Sequence, residues 1–310
     1  MKLTNISLNN AKIYKNDEFY TQFTDIEKEL QYYLPHLKGN VIYCNCDNPE
    51  QSNFWKYFHI NFKKLKLKKL ISTYYDKEKT VYKTVYDGKE DIKTPLQGNG
   101  DFRSQECRTI LAEANIIITN PPFSLFRKYI RQLIDLDKQF LVVGSKNSIP
   151  YKDFFPLLKE NKVWVGVNNI QKFLQLDGSF KTFGNIGWFT NLDISKRHKQ
   201  LINKLSKKYS PEEYPKFDNF DAINVNKVLD IPIDYYGIMG VPITFFDKYN
   251  PNEFEIIWQA SGNTKACCPN NILYDVLGYS PHPKDRGGCG VVNNVRKYSR
   301  IFIKRITVII

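Results

Sequence analysis

Between residues 41 and 143 the chain alternates short apolar runs with amphipathic segments, and this alternation restricts the fold more than any other feature. Four apolar runs have the length of buried strands: 41–44, 70–75, 116–119 and 140–143. Two intervening segments place apolar residues at helical spacing after a serine that can cap a helix: Phe54, Phe58, Phe62 and Leu65 after Ser52, and Phe126, Ile130 and Leu133 after Ser124. Strands and helices in this order predict an α/β fold with a parallel sheet.

An earlier helix is expected to start at Thr24, which has capping-box spacing to Glu27 and precedes Ile26, Leu30 and Leu34 at helical spacing. After about residue 160 the pattern changes, because no helix is evident between the apolar runs 163–165 and 186–190. We expect those runs to form an antiparallel pair at the edge of the sheet.

From about residue 196 the chain is rich in Pro, Asn and Asp, with short strand-like pieces such as 241–246. Residues 261–294 have the composition of loops. We therefore predict two domains, residues 1–195 with the α/β sheet and residues 196–310 as an irregular α+β region.

The chain has 45 Lys and Arg against 32 Asp and Glu, a net charge of +13. A basic surface favours polyanionic partners, although a solvated surface is an equally good explanation of charge alone. The lysines between 56 and 83 fit a solvated helix face. After the last acid, Asp285, come six basic residues that we expect to contact phosphates: Arg286, Arg296, Lys297, Arg300, Lys304 and Arg305.

Six cysteines in 310 residues do not form a disulfide framework, and no Cys or His pairs have zinc spacing, so we expect no metal. No signal peptide and no apolar run of membrane-spanning length are evident, so we expect a cytoplasmic protein with no membrane partner.

The tetrapeptide Asn120-Pro121-Pro122-Phe123 directly follows the apolar run 116–119, where an open α/β sheet binds its ligands. The Asn120 side-chain oxygen and the Pro121 carbonyl can accept hydrogen bonds from a planar amine. They would stabilise the positive charge that develops as the amine attacks a methyl group. Phe123 can stack on an extruded base. An ordinary Pro-Pro turn is the alternative, and the strand and helix on either side favour the catalytic interpretation.

Two further loops are candidates for a cofactor site. Residues 44–47 end the first strand, and Asp47 can accept from a cofactor amine or simply cap a helix. Gly98 and Gly100 precede Asp101, which can accept from the amine of an adenine or belong to a plain turn. Asp76, after the second strand, is a candidate for ribose binding or a surface residue.

Taken together, these segments resemble the EcoRI-type family of adenine-specific DNA methyltransferases. The similarity runs over most of the chain and is closest in segments 17–22, 43–47, 52–58, 100–104, 119–127, 221–227 and 240–245. The resemblance implies a Rossmann-like methyltransferase sheet with a target-recognition region toward the C-terminus.

The resemblance also implies S-adenosyl-L-methionine as cofactor. It assigns cofactor binding to Phe19, Tyr20 and Thr21, to Cys44, Asn45, Cys46 and Asp47, and to Asp101 and Phe102; it assigns catalysis to Asn120, Pro121, Pro122 and Phe123. Segment 44–47 lacks the glycines that most methyltransferases carry there.

We therefore hypothesise a monomeric, site-specific DNA adenine N6-methyltransferase (EC 2.1.1.72) that acts on a flipped adenine of double-stranded DNA. It would belong to a restriction-modification or phage-protection system, and a cognate restriction endonuclease would act on the same site without a stable complex. The alternatives are methylation of RNA adenine, cytosine N4 or a protein glutamine, or a DNA-binding relative without catalysis. The sequence indicates no general base.

Overall fold

The structure is a computed structural model, and it describes residues 20–174 and 178–306. The chain divides into two compact units. The first extends to residue 146 and includes 164–193; the second consists of 147–163 and the chain from 194 onward.

The first unit is built on a nine-stranded sheet in the order β1-β8-β9-β7-β6-β2-β3-β4-β5. Its strands are β1 (Tyr20–Thr21), β2 (Val41–Cys44), β3 (Lys69–Ser72), β4 (Tyr82–Tyr86), β5 (Asp91–Pro95), β6 (Ile116–Thr119), β7 (Gln139–Ser145), β8 (Trp164–Leu174) and β9 (Phe180–Thr190). The four central strands β7, β6, β2 and β3 are parallel, and the flanking pairings are antiparallel. The mixed α/β sheet agrees with the methyltransferase fold expected from the sequence.

The helices of this unit are α1 (Phe23–Leu30), α2 (Leu34–Leu37), α3 (Asn53–Leu65), α4 (Gln105–Glu113) and α5 (Phe126–Asp135). The apolar stripes predicted on α3 and α5 are buried as expected. Ser52 caps α3, since its Oγ accepts from the amides of Phe54 and Trp55 at 3.0 and 3.3 Å.

Two predicted helix starts are wrong. Helix α1 begins at Phe23 without a side-chain cap, because the Gln22 carbonyl takes the amides of Asp25 and Ile26. Leu34 is 44% exposed, since it begins the separate helix α2. Helix α5 likewise has no serine cap, because main-chain carbonyls before it close the turn.

Strand boundaries differ from the prediction in both units. The run 70–75 is a strand only as far as Ser72, and the piece 241–246 only as far as Pro242, because residues 243–247 form a 3-10 turn. The β8–β9 pair is antiparallel as expected, but both strands are far longer than the apolar runs, and β1 pairs with β8 at the edge. The hairpin β4–β5 has no predicted counterpart, because the residues of β5 are all exposed and carry no apolar pattern.

The second unit contains a four-stranded sheet in the order β10-β11-β15-β12, from β10 (Ile223–Asn224), β11 (Met239–Pro242), β12 (Phe254–Ala260) and β15 (Arg300–Arg305). It also contains α6 (Phe155–Lys159), α7 (Thr264–Cys267), a π-helix at Asn271–Val276, 3-10 turns at Ser195–His198, Ile202–Lys204, Val228–Asp230 and Ile243–Asp247, and the pair β13 (Val291–Val292) and β14 (Val295–Arg296).

One member of the predicted phosphate-binding tail is placed differently. Arg305 is 7% exposed and donates from Nη2 to the Pro232 carbonyl at 2.8 Å. Its guanidinium also lies over the Phe254 ring, 5.6 Å from the centroid. The prediction is therefore wrong for Arg305, because the alternation of β15 turns this side chain into the unit and burial removes it from any phosphate.

Within the described residues, none of the helices combines the length and apolar character needed to span a bilayer. All six cysteines are free thiols. In the same part of the chain, no cluster of three or more His, Cys, Asp or Glu side chains is arranged to hold a metal ion.

Candidate active site

The order of the strands reverses at the centre of the sheet, between β6 and β2. From β2 the chain passes to β3 on one side, and it later returns to β6 on the other side of β2. Such a reversal opens a crevice beyond the carboxyl ends of the two strands, where α/β sheets bind ligands. Both candidate loops leave the sheet here, residues 45–47 after β2 and residues 120–123 after β6.

Thr119, the last residue of β6, joins these two loops. Its Oγ1 accepts from the Cys46 amide at 3.1 Å and donates to Asp47 Oδ2. Thr119 is fully buried, so this hydroxyl has no competition from water. The end of β6 and the loop of residues 45–47 are therefore held as one structure.

Asp47 is the centre of this arrangement and is 6% exposed. Its Oδ1 accepts from Ser52 Oγ at 2.7 Å, while Ser52 itself caps helix α3. The Asp47 amide donates to the carbonyl of Thr73, the residue that follows β3, at 3.0 Å. Asp47 thus fixes the loop to β3, α3 and β6 by hydrogen bonds. No short sequence motif predicts these bonds.

Asn45 offers a buried donor beside Asp47. The side chain is 2% exposed, and its Oδ1 accepts from the Tyr129 hydroxyl of α5. Its Nδ2 is buried and has no hydrogen-bond partner among the described residues. A buried donor without a partner costs on the order of 1–3 kcal/mol, so an acceptor on a ligand would be favoured here.

Thr21 has a similar buried hydroxyl. It is 3% exposed, and within the described chain its Oγ1 has no hydrogen-bond partner. Its carbonyl accepts from Asn53 Nδ2 at 2.8 Å, and the Tyr20 hydroxyl donates to Gln51 Oε1. The segment Tyr20–Thr21 therefore lies against the N-terminus of α3, next to the Asp47 loop. Phe19, the third residue predicted here, lies outside the described residues.

The loop 98–101 packs on the residues that follow β3. Gly100 has a φ of 75°, and a Cβ there would overlap the Tyr74 carbonyl oxygen. The Asp76 amide donates to the Asn99 carbonyl at 3.1 Å. The Asp76 carboxylate accepts from the amides of Glu78 and Lys79, which gives it a turn-stabilising contact. Only glycine allows the close approach at position 100.

The Asp101 carboxylate forms an ion pair with the Arg103 guanidinium. The Arg103 Nε donates to Asp101 Oδ1 at 2.9 Å, and Nη2 lies 2.5 Å from Oδ2. These hydrogen bonds lower the pKa of Asp101 below its ordinary value of 3.8 and outweigh the opposing effect of partial burial. No sequence pattern indicates this role for Arg103.

Phe102 connects this loop to the rest of the site. It is 5% exposed, and its ring meets the Tyr129 ring edge to face with centroids 4.9 Å apart. Its carbonyl accepts from Gln132 Nε2 at 3.0 Å. Because Tyr129 also contacts Asn45, helix α5 brings two predicted cofactor segments into one packed group.

Residues 120–123 form a tight turn between β6 and α5. The Leu125 amide donates to the Pro122 carbonyl at 2.9 Å, and the Phe126 amide to the Phe123 carbonyl at 3.4 Å. These two bonds accept at the Pro122 and Phe123 carbonyls and close the turn into helix α5.

Phe123 packs in an aromatic cluster that sequence reasoning missed. Its ring centroid lies 5.8 Å from that of Phe173 in β8 and 6.0 Å from that of Phe183 in β9. All three ring pairs meet nearly edge to face, with interplanar angles of 77–89°. Phe173 is fully buried and Phe123 remains partly exposed. The long hairpin therefore sets the orientation of the Phe123 ring.

Comparison with known proteins gives a consistent result. Residues 7–306 match the family described as adenine-specific methyltransferase EcoRI. The Type II methyltransferase M.EcoRI of Escherichia coli is 46% identical over 82% of this chain and 89% of its own length. The Type II methyltransferase M.MpnI of Mycoplasma pneumoniae is 38% identical over 96% of this chain and 97% of its own length. No solved structure matches the chain.

Proposed function

Since the chain belongs to the EcoRI family of adenine-specific methyltransferases, we propose that it methylates N6 of adenine at a specific site in double-stranded DNA. The observation that carries this proposal is the position of Asn120–Phe123. The tetrapeptide leaves the sheet at the crevice between β2 and β6, and Thr119 bonds it to the Asp47 loop. An amine acceptor and a buried polar loop are thus adjacent, as methyl transfer from a bound donor requires.

Membership of the family implies a methyl donor, and we propose S-adenosyl-L-methionine, which supplies an electrophilic methyl group. The residues at the crevice fit this group, because Asn45 Nδ2 and Thr21 Oγ1 are buried polar atoms without protein partners in the described chain. Asn45 would donate to an acceptor of the cofactor, and Thr21 would bind it from the side of α3. Asp47 would act chiefly by holding both loops, and Asp101 would face the adenine end.

Catalysis would rest on positioning and on electrostatic stabilisation. The Asn120 side-chain oxygen and the Pro121 carbonyl would accept the two N6 hydrogens of the target adenine. They would orient the nitrogen lone pair and stabilise the positive charge that develops on it. Phe123, held edge-on by Phe173 and Phe183, would stack on the extruded base. The excess proton would pass to solvent.

Residues 196–310, which form most of the second unit, would supply most of the DNA contacts as a target-recognition region, and residues 1–195 would carry catalysis. Of the alternative substrates, cytosine N4 and protein glutamine are disfavoured by the adenine-specific family. We further propose a monomer that acts in the cytoplasm, independently of any cognate endonuclease that reads the same site.

Incubation with labelled S-adenosylmethionine and unmethylated bacterial genomic DNA tests this proposal. Digestion to nucleosides should yield N6-methyladenine, and mapping should place it in one short sequence context. A folded protein that binds the cofactor yet forms no N6-methyladenine would contradict the proposal.

A further inference from the structure

In the second unit, β13 and β14 form a small β-hairpin with a well-defined turn. Asn293 and Asn294 join the two strands with φ values of 51° and 62°. Two consecutive residues with positive φ make the tight turn whose twist matches paired strands, and Asn tolerates this conformation well. The Lys297 amide continues the pairing by donating to the Gly290 carbonyl at 2.8 Å.

Two adjacent side chains anchor this hairpin from below. The Asp218 carboxylate accepts from the Asn293 amide at 3.1 Å and from the Asn294 amide at 2.7 Å. Asn219, which is fully buried, accepts from the Val291 amide at 2.9 Å and donates to the Cys289 carbonyl at 2.9 Å. The turn is therefore held by hydrogen bonds at both of its central amides.

Packing within the unit does not explain the large side chains on the exposed surface of the hairpin. Val295 is 59% exposed and Tyr298 is 79% exposed, whereas Val291 and Val292 below them are buried. Arg296 and the two turn asparagines are exposed as well. A hairpin needs no large exposed aromatic residue for its own stability, and its fixed shape lowers the entropy lost when a partner binds.

The chemistry of this surface suits nucleic acid. Residues 291–300 contain Arg296, Lys297 and Arg300 and no acid. Arg300 is partly buried and supports the surface, since its Nη1 donates to the Tyr298 carbonyl at 3.2 Å. Asn amides and Arg can pair with base edges, a Val side chain can contact a thymine methyl, and a two-stranded ribbon fits the major groove.

We propose that the hairpin of residues 291–298 is a DNA-reading element of this protein, with Arg296, Val295 and Tyr298 in contact with the duplex. Asp218 and Asn219 position it. The inference rests on the proposed DNA substrate and adds to it the residues of the second unit that bind that substrate.

Arg296→Ala and Tyr298→Ala test the hairpin, each with a matched control from the same unit. Lys204→Ala removes one exposed cation elsewhere, and Tyr274→Ala removes a tyrosine that is 50% exposed. The probe is sheared, unmethylated bacterial genomic DNA, titrated at several salt concentrations. Thermal unfolding and S-adenosylmethionine affinity verify that each variant is folded, and N6-methyladenine mapping follows specificity.

We expect Arg296→Ala to weaken DNA binding by about tenfold or more and to reduce the slope of log K against log salt by about one. Tyr298→Ala should raise KM for DNA or relax the mapped site, with cofactor affinity unchanged. Both controls should behave as wild type.

Hairpin variants that bind and methylate DNA as wild type does would overturn the proposal. It would also be overturned if the DNA affinity of the control variants fell by the same factor as that of the hairpin variants. The outcome is separable from that of the proposed function. If wild type binds DNA but forms no N6-methyladenine, the proposed function fails, while a loss of binding confined to the hairpin variants still supports the hairpin.

Discussion

Phe173 meets Phe123 edge to face, with ring centroids 5.8 Å apart and an interplanar angle of 84°. One ring belongs to a buried position of a long antiparallel strand, and the other follows the two prolines of the candidate catalytic turn. The edge of the sheet thereby controls a side chain that would touch the substrate.

Phe173→Leu should lower kcat/KM for DNA by about tenfold. Leucine keeps an apolar side chain at this position but removes the ring that meets Phe123. An aromatic pair of this kind contributes about 0.5–1.5 kcal/mol in addition to the burial of its surface area. Without it, Phe123 would lose its orientation. Steady-state kinetics with DNA as the varied substrate measures the effect. S-adenosylmethionine affinity is the control and should be unchanged; a wild-type kcat/KM in a folded variant would show that Phe173 only fills space.

Thr119→Val should weaken S-adenosylmethionine binding by about tenfold, while Thr119→Ser should retain most of it. Valine matches the shape of threonine but removes the hydroxyl that joins the Cys46 amide to Asp47, and a buried group left unpaired costs on the order of 1–3 kcal/mol. Titration calorimetry measures the affinity, and thermal unfolding measures the loss of stability. Equal affinities for the two variants would contradict the linking role of this hydroxyl.

Gly100→Ala should destabilise the loop 98–101 far more than Gly39→Ala destabilises its own turn. Both glycines have nearly the same φ, 75° at Gly100 and 76° at Gly39, so an alanine would be strained by its positive φ to the same extent at both positions. At Gly100 the new Cβ meets the Tyr74 carbonyl, whereas at Gly39 it has no atom within 4 Å. We expect a larger drop in melting temperature and weaker cofactor binding for Gly100→Ala alone. Matching losses in the two variants would mean that φ strain dominates.

Arg103→Ala should reduce stability in a pH-dependent way. Arg103 lowers the pKa of Asp101 in the folded state, so the stabilising contribution is present above the ordinary value of 3.8 and is lost as pH falls through the lower folded pKa. The difference in free energy of unfolding between wild type and Arg103→Ala should therefore be constant near neutrality and shrink in acid. Denaturant titrations across this range measure it. A difference that persists unchanged at the acid limit would point to packing instead.

The sequence was sufficient to predict the parallel centre of the sheet. Runs 41–44 and 116–119 coincide with β2 and β6, because fully buried strands must be apolar throughout. Their ends place residues 45–47 and 120–123 at one crevice. This much follows from periodicity and from the rule that ligands bind at the carboxyl ends of strands.

What the sequence could not predict depends on long-range contacts. Phe173 and Phe183 meet Phe123 only after β8 and β9 extend beyond their apolar runs. Arg305 is buried because of the alternation of β15, which charge counting ignores. Tyr129, which no sequence pattern singles out, joins Asn45 to Phe102. In each case the partner lies more than 25 residues away in the chain, and local patterns carry no information about it.

Asn120 should be essential for methyl transfer, and a single-turnover assay of Asn120→Ala tests this role most directly. Wild type and variant are mixed with labelled S-adenosylmethionine and unmethylated DNA, with cofactor affinity measured in parallel. We expect the rate of N6-methyladenine formation to fall by at least about 100-fold, because a preorganised acceptor for the developing charge is lost. Cofactor affinity should not change. A variant that methylates adenine at the wild-type rate would contradict a catalytic role for Asn120.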